Sequence, residues 1–84
     1  MTRPADSSFT DTLTRLLALL HMLDMEPTPP EILWPALGMS RAGLYRLRQF
    51  ALTLDVRIAG GGEWRVARWG VLDRARVLRL VARR

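Results

Sequence analysis

Apolar side chains recur at helical spacing along the first third of the chain: Phe9, Leu13, Leu16, Leu17, Leu20 and Leu23 share one face. Ser8 stands where an N-cap belongs, and Asp11 falls in the first turn, where the helix dipole favours an acid. The pattern predicts a first helix from about Phe9 to Met25. Pro27, Pro29 and Pro30 end it, because proline lacks the donor that a helix interior requires. Thr28 followed three residues later by Glu31 has the form of a capping box and predicts a second helix over about Pro29 to Leu37. Pro35 removes a backbone bond inside it, so a kink or a shortened helix is expected. Gly38 supplies the positive φ for the exit. Ser40 then caps a third helix, with Leu44, Leu47 and Ala51 facing inward and Arg41, Tyr45, Arg46 and Gln49 on the other side.

Beyond the third helix the period changes to two. Asp55 to Ala59 and Glu63 to Ala67 alternate around Gly60, Gly61 and Gly62, which predicts a hairpin. If the three glycines form the loop, Ala59 faces Glu63, Ile58 faces Trp64, Arg57 faces Arg65 and Val56 faces Val66. That register buries Val56, Ile58, Trp64 and Val66 together and sets Arg57 directly opposite Arg65. Like charges so placed cost up to about 1 kcal/mol. An external anion such as a phosphate removes that cost; two arginines splayed apart in screened solvent are the alternative. Gly70 to Arg84 returns to helical spacing and predicts a fourth helix. The expected fold class is therefore mainly α with a small β-hairpin: a three-helix core, a two-stranded hairpin and an extra C-terminal helix. Residues 1–7 are expected to be a flexible tail, and residues 8–84 one domain.

Composition narrows the chemistry. A chain of 84 residues has room for one small domain, which argues against a deep catalytic cleft. It contains no cysteine and a single histidine, His21, so neither a thiolate metal site nor a Ser-His-acid set is expected. No phosphate-binding loop of the GxxxxGK type is present, and the acids form no recognisable pair. These points predict neither an enzyme nor a cofactor, and no small-molecule substrate is evident. The apolar stretch from Leu13 to Leu23 is broken by Thr14, Arg15 and His21 and falls short of a membrane span. With no cleavage site behind it, a cytoplasmic, nucleoid-associated protein is expected.

The placement of charge matters more than the net +5. Residues 1–39 carry two arginines against five acids, a balance of −3, whereas residues 40–84 carry eleven arginines against three acids, a balance of +8. A basic half of this size favours a polyanion, because each arginine set against a phosphate releases condensed counterions. All the basic residues are arginine, whose planar fork suits phosphate and base edges alike.

These features single out candidate contacts. A helix entering the major groove meets base edges with its N-terminal residues, here Ser40, Arg41, Ala42, Tyr45, Arg46 and Gln49. Arg41 or Arg46 can pair with a guanine edge, Gln49 with adenine, and Ala42 can touch a thymine methyl. The same residues also describe an ordinary solvated helix face. On the hairpin, Arg57, Gly61 and Arg65 are candidates for the backbone or minor groove. The three glycines permit a close approach to a duplex, yet equally a tight turn. Trp34, Trp64 and Trp69 sit at inward positions and are expected in the core rather than as stacking platforms. Leu19, Met22 and Leu80 are left over by the apolar faces and are candidates for a dimer interface.

The run Leu37-Gly-Met-Ser-Arg-Ala42, continued through Leu54-Asp-Val56 to the glycine hairpin, resembles the N-terminal DNA-binding module of bacterial biotin protein ligase/repressor proteins. More broadly it is similar to winged helix-turn-helix transcriptional regulators. The resemblance covers about residues 28–67. It implies recognition by the third helix, with Ser40, Arg41 and Ala42 at its start and Gly60 to Gly62 at the tip of a wing. It also implies a homodimer on paired half-sites of double-stranded DNA, and a small regulator, a repressor, of prokaryotic or phage type. Tyr45, Arg46 and Arg48 depart from that pattern and imply a different target sequence. Trp34 replaces a small residue before the turn. No ligase domain accompanies the module, so no biotin chemistry is expected. The alternative is a winged-helix interaction module or accessory subunit of a replication, transcription or phage assembly, for which Leu19, Met22 and Leu80 matter more than the arginines.

Overall fold

A computed structural model of the chain describes residues 4–70 and, beyond them, positions 72, 74, 75, 77 and 79, with residues 4–9 described by their backbone alone. The first helix, α1, spans Pro4–Met25 and so begins well before the expected start at Phe9. Proline is tolerated at a first helical position because the N–H it lacks has no intrahelical acceptor there. Residues 4–7, expected in a tail, are thus part of α1.

The second helix, α2, spans Pro30–Ala36, one residue short of the expectation at each end, and contains Pro35. The capping box does not form. Pro29 occupies the N-cap with extended backbone (φ −64°, ψ 146°) and no side-chain cap. Thr28 is used elsewhere: its hydroxyl donates to the Glu26 carbonyl at 3.0 Å. Its backbone exchanges two hydrogen bonds with Trp64, at 3.1 and 2.8 Å. The expected shortening at Pro35 is seen, since α2 stops at the next residue. Gly38 turns the chain at φ 66°, and the Met39 N–H reaches back to the Trp34 carbonyl at 2.8 Å.

The third helix, α3, spans Arg41–Thr53. Ser40 caps it as expected, its Oγ accepting from the Gly43 N–H at 3.0 Å. A turn with Asp55 at φ 59° leads to β1 (Arg57–Ala59) and β2 (Arg65–Arg68), which pair antiparallel. The register differs from the expected one: Ile58 faces Val66, Ala59 faces Arg65, and Arg57, across an irregularity, faces Arg68. The cause is Trp64, whose backbone bridges to Thr28 rather than to β1. The loop therefore takes in Glu63 and Trp64 as well as the glycines. At Ile58 the slip is two residues, so side chains keep their faces, and Val56, Ile58 and Trp64 are buried as expected, with Val66 half-buried.

The described residues thus form three helices, α1 to α3, with a two-stranded antiparallel sheet, a small α+β arrangement. Leu16, Leu19, Leu20 and Leu23 of α1, Leu33 of α2, and Leu44, Leu47 and Ala51 of α3 close on Val56, Ile58 and Trp64. Each fully buried leucine contributes roughly 1.5–3 kcal/mol against exposure. Leu19 is wholly buried in this core and is not available to a dimer interface, because the stripe of α1 that faces α3 and β2 is wider than the spacing suggested. Of the expected fourth helix, positions 74, 75, 77 and 79 carry helical backbone. Val77 is buried, and Arg74 grips Asp24 of α1 with two hydrogen bonds of 2.6 and 3.0 Å. Gly70, in a turn at φ 59°, and Leu72 are not helical, so the expected start at Gly70 is not seen; the other positions of the expected helix, Leu80 included, lie outside the described residues.

Candidate nucleic-acid interface

With Leu44, Leu47 and Ala51 directed into the core, 3.6-residue periodicity fixes what α3 presents elsewhere. One flank meets the hairpin. The Tyr45 ring stands edge-on to Trp64, with centroids 5.3 Å apart and planes at 88°. The Arg48 guanidinium lies 4.6 Å from the centroid of Trp64, and that of Arg41 lies 5.6 Å from the centroid of Tyr45. Contacts of this kind contribute roughly 0.5–2 kcal/mol each, depending on burial. Trp64 is therefore core, as its inward position implies, and also the seat on which two α3 side chains rest. That second role has no signature in the sequence.

The opposite flank of α3 meets α1. Thr12, Arg15, Ser40, Gly43, Arg46 and Leu47 are among the residues lining an open cleft of about 450 Å³ between the two helices. Between the flanks, Ala42 and Gln49 are exposed, and Tyr45 is 39% exposed. Ser40, Arg41, Ala42, Tyr45, Arg46 and Gln49 thus fall on one helix but not on one face: Ser40 serves the cap, Arg41 leans on Tyr45, and Arg46 turns toward α1.

The arginines divide by whether another group already holds them. Arg68 is paired with Asp55 at 2.8 Å. Arg74 is held by Asp24, whose hydrogen bond and then charge raise the arginine pKa further above its ordinary value. Arg41 and Arg48 lie over rings. Arg15, Arg46, Arg57, Arg65 and Arg79 are exposed and make no ion pair among the described residues. Arg57 does not face Arg65, so the cross-strand repulsion expected between them is absent. Its like-charged neighbour is Arg68, already offset by Asp55. At the hairpin tip only Gly60 is required by the backbone, with φ 110° and a Cβ that would strike the Glu63 carbonyl. Gly61 and Gly62 border open space.

No family model, curated protein or solved structure matches the chain. The reading of the surface rests on its own chemistry.

Of the expected dimer residues, Leu19 is core and Leu80 lies outside the described residues. Met22 is half-buried in a second cleft of about 520 Å³ with Met25, Ile32, Glu26 and Glu63. There Met25 is 74% and Ile32 57% exposed, and neither was singled out by pattern. Arg15 was missed too, because the half of the chain that holds it is acidic overall. The available signal was its position one helical turn after Thr12, beside the buried Leu16 and Leu19. His21 is half-buried, with its Nδ1 unpartnered. Among the described residues no three His, Asp or Glu side chains gather into a possible metal site, and no helix is long and apolar enough to cross a membrane.

Proposed function

We propose that the protein is a winged helix-turn-helix that binds double-stranded DNA and acts as a small transcriptional regulator, a repressor, as a homodimer. In this reading α3 enters the major groove, Ala42, Tyr45 and Gln49 meet base edges, and the hairpin lays Arg57, Gly61 and Arg65 along the phosphate backbone or minor groove. The observation that supports it most is the exposed outer face of α3 together with exposed cations without ion pairs among the described residues: Arg46 on its flank toward α1, and Arg57 and Arg65 on the hairpin that follows it. The backbone bridge between Thr28 and Trp64 adds support, because it ties the hairpin to the chain entering α2 and so gives it a fixed place beside α3.

Selection of bound duplexes from a random pool, followed by affinity measured from 50 to 200 mM salt, tests the reading. Binding should weaken steeply with salt, and the selected sites should be two-fold symmetric if a dimer binds. Gln49→Ala should lower discrimination at one base position by roughly 1–3 kcal/mol. Absence of binding at low salt, or a flat salt response, overturns it. A second reading, a protein-interaction module, draws on the exposed Met25 and Ile32 with the nearby Glu26 and Glu63. A partner that survives nuclease treatment, together with no duplex shift, favours it.

A further inference from the structure

The cleft between α1 and α3 brings together two arginines that the sequence places in halves of opposite charge. Arg15 projects from the middle of α1 and Arg46 from the second turn of α3; both line the same space. Both are exposed, and neither has a carboxylate partner among the described residues. Two guanidinium groups lining one open cleft add their positive potentials there, and an anion held in the cleft offsets both. Ser40 and Thr12 border the same space. The Gly43 N–H at the end of α3 is already taken by Ser40 Oγ. The cations from two separate helices define the site.

We infer that Arg15 and Arg46 clamp a single phosphate, and that in the DNA-bound protein this is a backbone phosphate flanking the groove that α3 occupies. The inference rests on the DNA-binding reading above and deepens it. It moves Arg46 from base recognition to backbone positioning, which is sequence-independent, and it brings α1 into the interface. A fork-shaped cation on each side suits the oxygens of a phosphate, which accept paired N–H donors from guanidinium.

The test uses the whole chain and a 20-base-pair duplex from the selection, beside a scrambled duplex of equal length. Arg15→Gln should weaken binding to both duplexes by the same factor, several-fold near 100 mM salt, and leave the thermal midpoint unchanged. Arg15→Lys should restore part of the loss. The double variant Arg15→Gln/Arg46→Gln should lower the slope of log affinity against log salt by about 0.9, the value for one phosphate. Its loss of affinity should be smaller than the product of the two single losses. Inorganic phosphate, titrated without DNA and followed by NMR at the Gly43 amide, separates the two sources of the anion. Only weak, millimolar-range shifts are expected, and tight saturable binding with no duplex affinity would assign the cleft to a free anion and overturn the backbone assignment. If the unaltered protein binds DNA but Arg15→Gln leaves affinity and slope unchanged, or if Arg46→Gln abolishes preference between duplexes, the clamp is overturned alone. If the unaltered protein binds no DNA, the clamp and the wider reading fall together.

Discussion

Ser40 and Gly60 are each tied to their identity by one local demand, and each makes a measurable prediction. Ser40 supplies the oxygen that satisfies the Gly43 N–H at the start of α3; Ser40→Ala should cost about 1 kcal/mol in denaturant unfolding, within a usual range of roughly 0.5–2. At Gly60 a side chain would meet both a φ of 110° and the Glu63 carbonyl, so Gly60→Ala should destabilise by about 1–3 kcal/mol. Gly61 has neither restriction. Gly61→Ala should be neutral or stabilising by up to about 1 kcal/mol, because it narrows the unfolded ensemble alone. If the two glycine variants proved equally destabilising, the assignment of the turn to Gly60 would fail. Ser40 and Gly38 were legible in the sequence because their demands come from neighbouring residues. The Thr28–Glu31 capping box was misleading for the opposite reason: the backbone of Thr28 is claimed by Trp64, a partner that no local rule identifies.

At the scale of elements, the join between α3 and the hairpin is where pattern and structure part. Alternation correctly separated the inward set Val56, Ile58 and Trp64 from the outward arginines, since an even slip preserves faces. It did not fix register, which the pairing of Trp64 with Thr28 decides. The same tryptophan supports the Tyr45 edge and the Arg48 guanidinium, so it carries the angle between α3 and the strands. Trp64→Ala should cost roughly 3–5 kcal/mol from lost packing and the cavity left behind. Arg48→Met, which keeps much of the side-chain length but removes the cation, should cost about 0.5–2 kcal/mol. The check is thermal unfolding combined with the emission maximum of tryptophan. An unchanged midpoint in Arg48→Met would show that the stacked cation contributes nothing to the join. Helix existence was legible throughout the described residues, whereas the start of α1 at Pro4 was not, because the apolar stripe that signals α1 begins at Phe9.

For the whole molecule, counting charge along the chain gives a useful direction and an inaccurate map. The division into −3 and +8 halves treats Arg68 and Arg74 as available cations, although Asp55 and Asp24 hold them, and it discounts Arg15, which lines the same cleft as Arg46. Folding thus reduces the basic half to fewer exposed cations without partners and adds one from the acidic half. This revision predicts how binding should respond to salt. If Arg57 and Arg65 each neutralise a phosphate, Arg57→Ala/Arg65→Ala should lower the slope of log affinity against log salt by about 1.8 and weaken specific and scrambled duplexes alike. Arg68→Ala removes a charge already offset by Asp55, so its effect on the slope should be much smaller than that of Arg57→Ala alone. Its effect on stability should stay within about 0–1 kcal/mol, as befits an exposed ion pair. Equal slope changes at Arg57 and Arg68 would mean that affinity follows net charge, not which cations the fold leaves unpaired, and the assignment of the hairpin to the backbone would then have no support.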